Sequence, residues 1–277
     1  MISTSHIHGH TTGAELSEWA QIILALPFIF ALIIYGAAVF FSRQLQRPWP
    51  FYRIVLWVLG IVCALAAVVG PLAQLAHMDF TMHMLGHLLL GMLAPLLMAL
   101  AAPMTLFLRA LPQGQAKRLS RLLKSWPSRV LTDPIAASLL NVGGLWILYT
   151  TPLYQTMHEN SYLHVFIHAH VFIAGYLFTV AMIYIDPTPH RNSYLYRAVT
   201  LIAALAGHGI LSKYIFGNPP AGVPVGQAES GGMLMYYGGD GVDLIIVFIL
   251  CLHWYRSTAP ENFKVNNKAN PFETDPA

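Results

Sequence analysis

The run HMLGHLLLGMLAPLLMALAAPMTLFLR, residues 83–109, decides the fold. Between His87 and Arg109 it carries no Lys, Arg, Asp or Glu. A helix needs roughly 20 such residues to cross a bilayer. Pro95 and Pro103 sit inside the run. Proline removes a backbone donor and clashes one turn back, which a membrane bundle tolerates where neighbours satisfy the freed groups. The spacing predicts a kink or break near Pro103. Two histidines one helical turn apart stand at its head. An ionisable side chain in a spanning helix is costly and points to function.

The rest of the chain is built alike. Of its 277 residues, 56% are hydrophobic and only 10% charged, with a mean hydropathy of +0.56. Soluble domains carry about 25% charged residues. Seven segments are long and apolar enough to span: 19–42, 53–75, 82–108, 134–153, 163–185, 195–216 and 231–255. The expected fold is an all-α membrane protein, a seven-transmembrane-helix bundle. Of the fifteen Lys and Arg residues, fourteen fall in the first, third and fifth connections and the tail; Lys213 alone departs. The positive-inside rule then puts the N-terminus outside and the C-terminus in the cytoplasm. The net charge of +3 follows from this loop bias, and no nucleic-acid partner is expected. Residues 1–18 read as an extracytoplasmic, histidine-containing segment, 19–256 as the membrane domain, and 257–277 as a disordered cytoplasmic tail. The first apolar run is too long for a signal peptide's core and reads as a retained span. Cys63 and Cys251 lie in apolar runs without motif spacing and read as buried small hydrophobes.

With the topology assigned, eleven of the thirteen histidines lie outside or in the outer halves of spans; only His190 and His253 do not. Met78, Met82, Met84, Met92, Met157, Met233 and Met235 follow them. A second pair, HVFIH at 164–168, matches HMLGH at 83–87. Residues four apart share a helix face, about 6 Å apart along the axis. His83 with His87, and His164 with His168, therefore point from spans three and five at similar depth. The first face continues through Gly91 and Pro95, the second through Phe172 and Gly175, and the small glycines let helices approach.

Neutral imidazole suits copper, zinc, iron and nickel, and thioether selects Cu(I). Histidine with methionine, facing an oxidising compartment without cysteine, points to copper, most simply Cu(I). A lone interfacial histidine is ordinarily held by backbone or headgroups; two matched pairs at one depth favour metal. His77 and Met78, beside Asp79 in the second connection, offer a place where metal is first received. His208, between Gly207 and Gly209, needs a partner if buried and is a further ligand candidate. His170 falls off the face of its neighbours. His6, His8 and His10 can capture metal loosely. Asp240 and Asp243 follow GGMLMYYGGD (231–240) and can balance metal charge, relay protons or pair with Lys213. Gly231, Gly232, Gly238 and Gly239 imply a broken or closely packed helix start. No paired acid and base, nucleophile motif or phosphate loop is present, so no enzyme is expected.

Four blocks carry a resemblance. HMLGHLLLGMLAPLLMALAAPMTLFLR (83–109), DPIAASLLNVGGLW (133–146), LHVFIHAHVFIAGYLF (163–178) and GGMLMYYGGD (231–240) resemble the third, fourth, fifth and last spans of the CtaG family, the multi-span cytochrome c oxidase assembly proteins. The likeness runs over roughly residues 50–255. It implies a multi-pass protein of the bacterial cytoplasmic membrane that handles or delivers copper at its outer face during oxidase assembly. Its partners would be the lipid bilayer and cytochrome c oxidase subunits. His83, His87, His164 and His168 match the family's recurrent histidines. The sequence departs before Pro152, where Tyr149, Thr150 and Thr151 stand in place of a fourth-span histidine. Three rivals remain: a membrane b-type haem protein, with histidines of facing helices as axial ligands, a metal or proton transporter, and a structural assembly chaperone that binds no metal.

Overall fold

A computed structural model describes residues 11–258, with side chains from residue 19 onward. His6, His8 and His10 and residues 259–277 of the expected tail lie outside the described residues. Among the described residues the chain is helical throughout, without strands. Long helices α1 (Thr11–Gln44), α2 (Phe51–Val68), α12 (Ser161–Met182), α13 (Tyr194–Gly217) and α14 (Val225–Thr258) are joined by two composite ones. The third span stacks α4 (Phe80–Leu88), a π-helical turn at Leu89–Leu93 and α5 (Ala94–Leu100). The fourth stacks α9 (Pro134–Ser138), a π-helical turn at Leu139–Gly143 and α10 (Gly144–Thr150). Six of these helices are each long and apolar enough to cross a membrane. Pro134–Thr150, bent by 80° from α11 (Leu153–Glu159), makes a seventh when the pair is taken as one span.

The short helices gather at the two ends of the bundle. α3 (Pro71–Met78) and α11 stand at one end; α6 (Pro103–Ala110), α7 (Gln113–Leu123) and α8 (Trp126–Leu131) stand at the other. Two expected spans are shorter than their apolar runs. The second stops at Val68 rather than 75. Gly70 has a φ of 87°, open to glycine, and Pro71 starts α3 with a φ already set for a helix. The third stops at Leu100 rather than 108. Ala102, fully buried, takes a left-handed φ of 52°, and Pro103 begins α6. Proline disfavours a helical residue before it, so the break falls where Pro103 implied it would.

Asp186, from the connection after α12, holds that break in place. Its carboxylate accepts the Met104 and Thr105 backbone N–H groups at 3.1 and 2.7 Å and the Thr105 hydroxyl at 2.6 Å. These are orphan donors of the first turn of α6. Beside them the Tyr35 hydroxyl donates to the Ala101 carbonyl at 3.1 Å and accepts from Trp49 Nε1 at 2.9 Å. Arg197, also buried at this end, donates to the last carbonyl of α12, Met182, at 2.9 Å, the favourable pole of a helix for a cation.

Glycines set the packing. Pro95 has no N–H to return to the Gly91 carbonyl, and Gly91 lies in the π-helical turn just before it. A Cβ at Gly175 would strike that carbonyl. Spans three and five thus cross with backbone against backbone. On α14, a Cβ at Gly231 would come within 2.7 Å of Phe80, and at Gly238 within 2.5 Å of Leu88. One at Gly232 would come within 2.9 Å of the Ser212 carbonyl. α14 runs unbroken through these glycines, so they serve close packing.

Gly175→Val should cost at least about 1–3 kcal/mol by overpacking, read as a lower midpoint of thermal unfolding in detergent; an unchanged midpoint would mean that the crossing is loose. At the other end, Asp186→Ala should cost about 1–2 kcal/mol, as loss of a helix cap does, with Asp186→Asn milder because an acceptor remains. Burial holds the Asp186 carboxyl above its usual 3.8, against the lowering effect of the Thr105 and Met104 hydrogen bonds. Below 3.8 the acid is neutral folded or unfolded; as pH rises through the raised value, ionisation favours the unfolded chain. Relative to Asp186→Asn, the wild type should therefore gain stability as pH falls from neutral toward 3.8.

Candidate metal centre

Both histidine pairs are placed by a capped helix start. Asp79 begins α4, its carboxylate accepting the Met82 N–H at 3.0 Å, while Gln227 from α14 accepts the Phe80 N–H at 3.0 Å. Asn160 begins α12, accepting the Tyr162 and Leu163 N–H groups at 3.0 and 3.2 Å. His83 and His87 lie one and two turns below Asp79, and His164 and His168 one and two turns below Asn160. With this register His83, the first histidine of its pair, comes beside His168, the second of the other.

Five imidazoles meet at this end: His77 of α3, His83 of α4, His158 of α11, and His164 and His168 of α12. Ring centroids lie 6.3 Å apart for His83 and His168, 6.0 Å for His83 and His158, and 5.7 Å for His77 and His158. His164 stacks on His168 at 3.9 Å and on His77 at 4.9 Å. Together with Gln21, Ala67 and Ala73 they enclose a space of about 10 Å³, on the order of one water or one ion.

Hydrogen bonds fix two of the tautomers. His158 Nδ1 lies 2.9 Å from the Tyr154 carbonyl and His168 Nδ1 lies 2.9 Å from the His164 carbonyl. A carbonyl only accepts, so both Nδ1 atoms carry the proton and both Nε2 atoms keep a lone pair. Metal-ligating histidines are commonly oriented in this way. His83 Nε2 pairs with the Tyr149 hydroxyl at 3.1 Å, and among the described residues the buried His164 Nδ1 has no hydrogen-bond partner. Among the described residues, no three His, Cys, Asp or Glu side chains are placed to hold a metal as they stand. Several rings present faces to one another, so a shared ion would need side-chain rotation.

The second histidine of the α4 pair goes elsewhere. His87 is buried and faces His208 of α13, with ring centroids 6.3 Å apart. They line a deeper cavity together with Met92, Asn141, Thr179 and Asp243. The four paired histidines therefore do not form one tetrad: His83, His164 and His168 share the mouth, and His87 turns inward. Met78 is 85% exposed at the rim, in a cleft with His77, Asp79 and His158. Met84, Met157 and Met235 are fully buried among Phe80, Leu145 and Leu211, so much of the methionine bias is core packing. His170 lies apart and donates Nε2–H to the Leu140 carbonyl in the second π-helical turn, at 3.1 Å. Asp243 is buried, Asp240 is exposed, and the Lys213 ammonium rests 5.0 Å over the Tyr236 ring.

The i, i+4 spacing that marks the paired histidines leaves His158 without a role, since no histidine stands four residues from it. Its signal was position: it lies just before the Asn160 cap, in the connection opposite His77. Tyr149 was noted only as a departure from a histidine, yet it meets His83.

Comparison with known proteins places these features in context. Residues 33–257 match the family model described as cytochrome c oxidase caa3 assembly factor. An uncharacterized protein of Mycobacterium bovis is 33% identical over 206 residues, covering 72% of this chain and 31% of that protein. One of Mycobacterium tuberculosis gives the same figures. One of Mycobacterium leprae is 33% identical over 173 residues, covering 60% of this chain and 26% of that protein. The chain thus spans less than a third of the length of these relatives. No solved structure matches.

Tyr149→Phe should leave the His83 ring short of a partner in a buried site. A loss of about 1–3 kcal/mol is expected, measured by thermal unfolding in detergent with a chelator present; no loss would show that the contact contributes nothing.

Proposed function

This chain belongs to the cytochrome c oxidase caa3 assembly factor family, and we propose that it handles copper as cargo for the oxidase at the outer face of the bacterial cytoplasmic membrane. The observation that carries this reading is the pair of tautomers set by backbone carbonyls, which aims the lone pairs of His158 and His168 outward from their helices. Around them His77, His83 and His164 supply further neutral imidazoles. A d10 ion such as Cu(I) is well served by this donor chemistry, and Met78 at the rim adds the soft sulfur that selects it.

The positive-inside bias supports placing the histidine end outside, because the arginine-rich connections α6–α8 stand at the opposite end. In this reading His77 and Met78 receive the ion, and His83, His158, His164 and His168 hold it. An oxidase subunit then takes it by ligand exchange. Neutral nitrogen and sulfur ligands release Cu(I) without the strong charge attraction of a thiolate, which suits a handover. No catalytic turnover is involved.

The test pairs a binding measurement with an assembly measurement. Full-length protein in detergent is titrated with Cu(I) against a chromogenic chelator, beside a His83→Gln/His168→Gln variant. Affinity at the mouth should fall by about tenfold or more. Membranes of a host that carries only the variant should contain oxidase deficient in copper. Fully metallated oxidase in those membranes would overturn the proposal.

A further inference from the structure

Below the mouth, His87 and His208 stand 6% and 5% exposed, and among the described residues neither nitrogen of His87 nor Nε2 of His208 has a hydrogen-bond partner. An unpaired polar group in such a place costs free energy, and two facing one another ask what they are kept for. We infer that this cavity is a second metal site, distinct from the mouth, which holds one Cu(I) between the two rings in near-linear coordination. The inference rests on the copper-handling reading only for the identity of the ion; the site itself is argued from its own geometry.

Distance is the first argument. A ring nitrogen lies about 1.15 Å from the imidazole centroid, and a metal–nitrogen bond is about 2.0 Å. Two rings sharing an ion then have centroids about 6.3 Å apart when collinear and about 5 Å apart at a tetrahedral angle. The observed 6.3 Å lies at the linear limit. Two-coordinate geometry is a habit of Cu(I) and not of zinc, which takes four ligands.

Chemistry is the second. The cavity walls also hold the Met92 thioether, a soft neighbour for the ion, and the Asp243 carboxylate, 4% exposed, as a counter-charge. Cysteine is absent from them. A cation deep in a bundle needs such compensation.

Construction is the third. Both rings are given room by glycine: a Cβ at Gly91 would lie 3.3 Å from the His87 ring, and one at Gly239 would lie 2.6 Å from the His208 ring. Two π-helical turns frame the cavity, one supplying Gly91 and Met92, the other Asn141 and Val142. Such turns are often found at functional sites. The free space, about 20 Å³, suits one or two waters or an ion. The ring separation alone would also suit two axial ligands of a haem, but a free space of about 20 Å³ holds no porphyrin.

The experiment is Cu(I) titration of the full chain in detergent, with X-ray absorption on the loaded protein. Wild type should bind two equivalents. His87→Leu/His208→Leu should bind one and lose the intense 1s→4p edge feature of linear Cu(I), with an unchanged elution profile. If that variant keeps both equivalents, or if wild type binds a single ion that the variant retains, this inference falls while the mouth stands. If wild type binds none, both fall. Should the variant not purify folded, the mouth variant His83→Gln/His168→Gln decides. One residual equivalent with the linear edge supports the deep site, and none overturns it.

Discussion

One contact between two backbones governs the histidine end of the bundle. Spans three and five carry the two matched pairs, and they approach as closely as they do because Gly91 meets Gly175 with no side chain between. Lipid offers no hydrophobic drive to bring helices together, so such packing must supply it. Pro95 makes the contact available by withholding an N–H from the Gly91 carbonyl. Two turns above the crossing, the spacing it sets becomes the 6.3 Å between His83 and His168. A bulky residue at Gly175 would push the helices, and with them the rings, apart without touching any histidine, whereas one at Gly91 would also press on the His87 ring.

The second governing element is the pair of caps. Asp79 and Asn160 fix where α4 and α12 begin, and hence which turn each histidine occupies. Depth is set at the helix start and separation at the crossing, and together they bring His83 beside His168. Polar anchors at the opposite end complete the frame: Asp186 and Arg197 each satisfy helix termini that water would otherwise have to reach.

Much of this was legible before any coordinates. Apolar run length gave the spans, and the HxxxH spacing gave the histidine-bearing face of each of spans three and five, though not that the two spans are neighbours. The break near Pro103 followed from proline chemistry. What stayed hidden depended on long-range placement. His158 lies on a short helix whose amphipathic signal is too brief to read. The partner of His87 is 121 positions away in sequence, and nothing local couples the two. The π-helical turn that carries Met92 toward His208 adds a residue to the turn, which a 3.6-residue projection cannot anticipate. Methionine misled for a simpler reason: an unbranched, adaptable side chain fills cores as readily as it binds metal, as Met84 and Met235 do.

The Asp186 clamp has a mechanical side. It fastens α6 to the chain immediately beyond α12, and α12 is a continuous rod of 22 residues, about 33 Å long. His164 and His168 ride on the far end of that rod. A helix resists bending, so a small tilt imposed at one end appears as a displacement at the other. A displacement of α6 is therefore carried along α12 toward the end that holds two imidazoles, and the two ends of the bundle are mechanically linked.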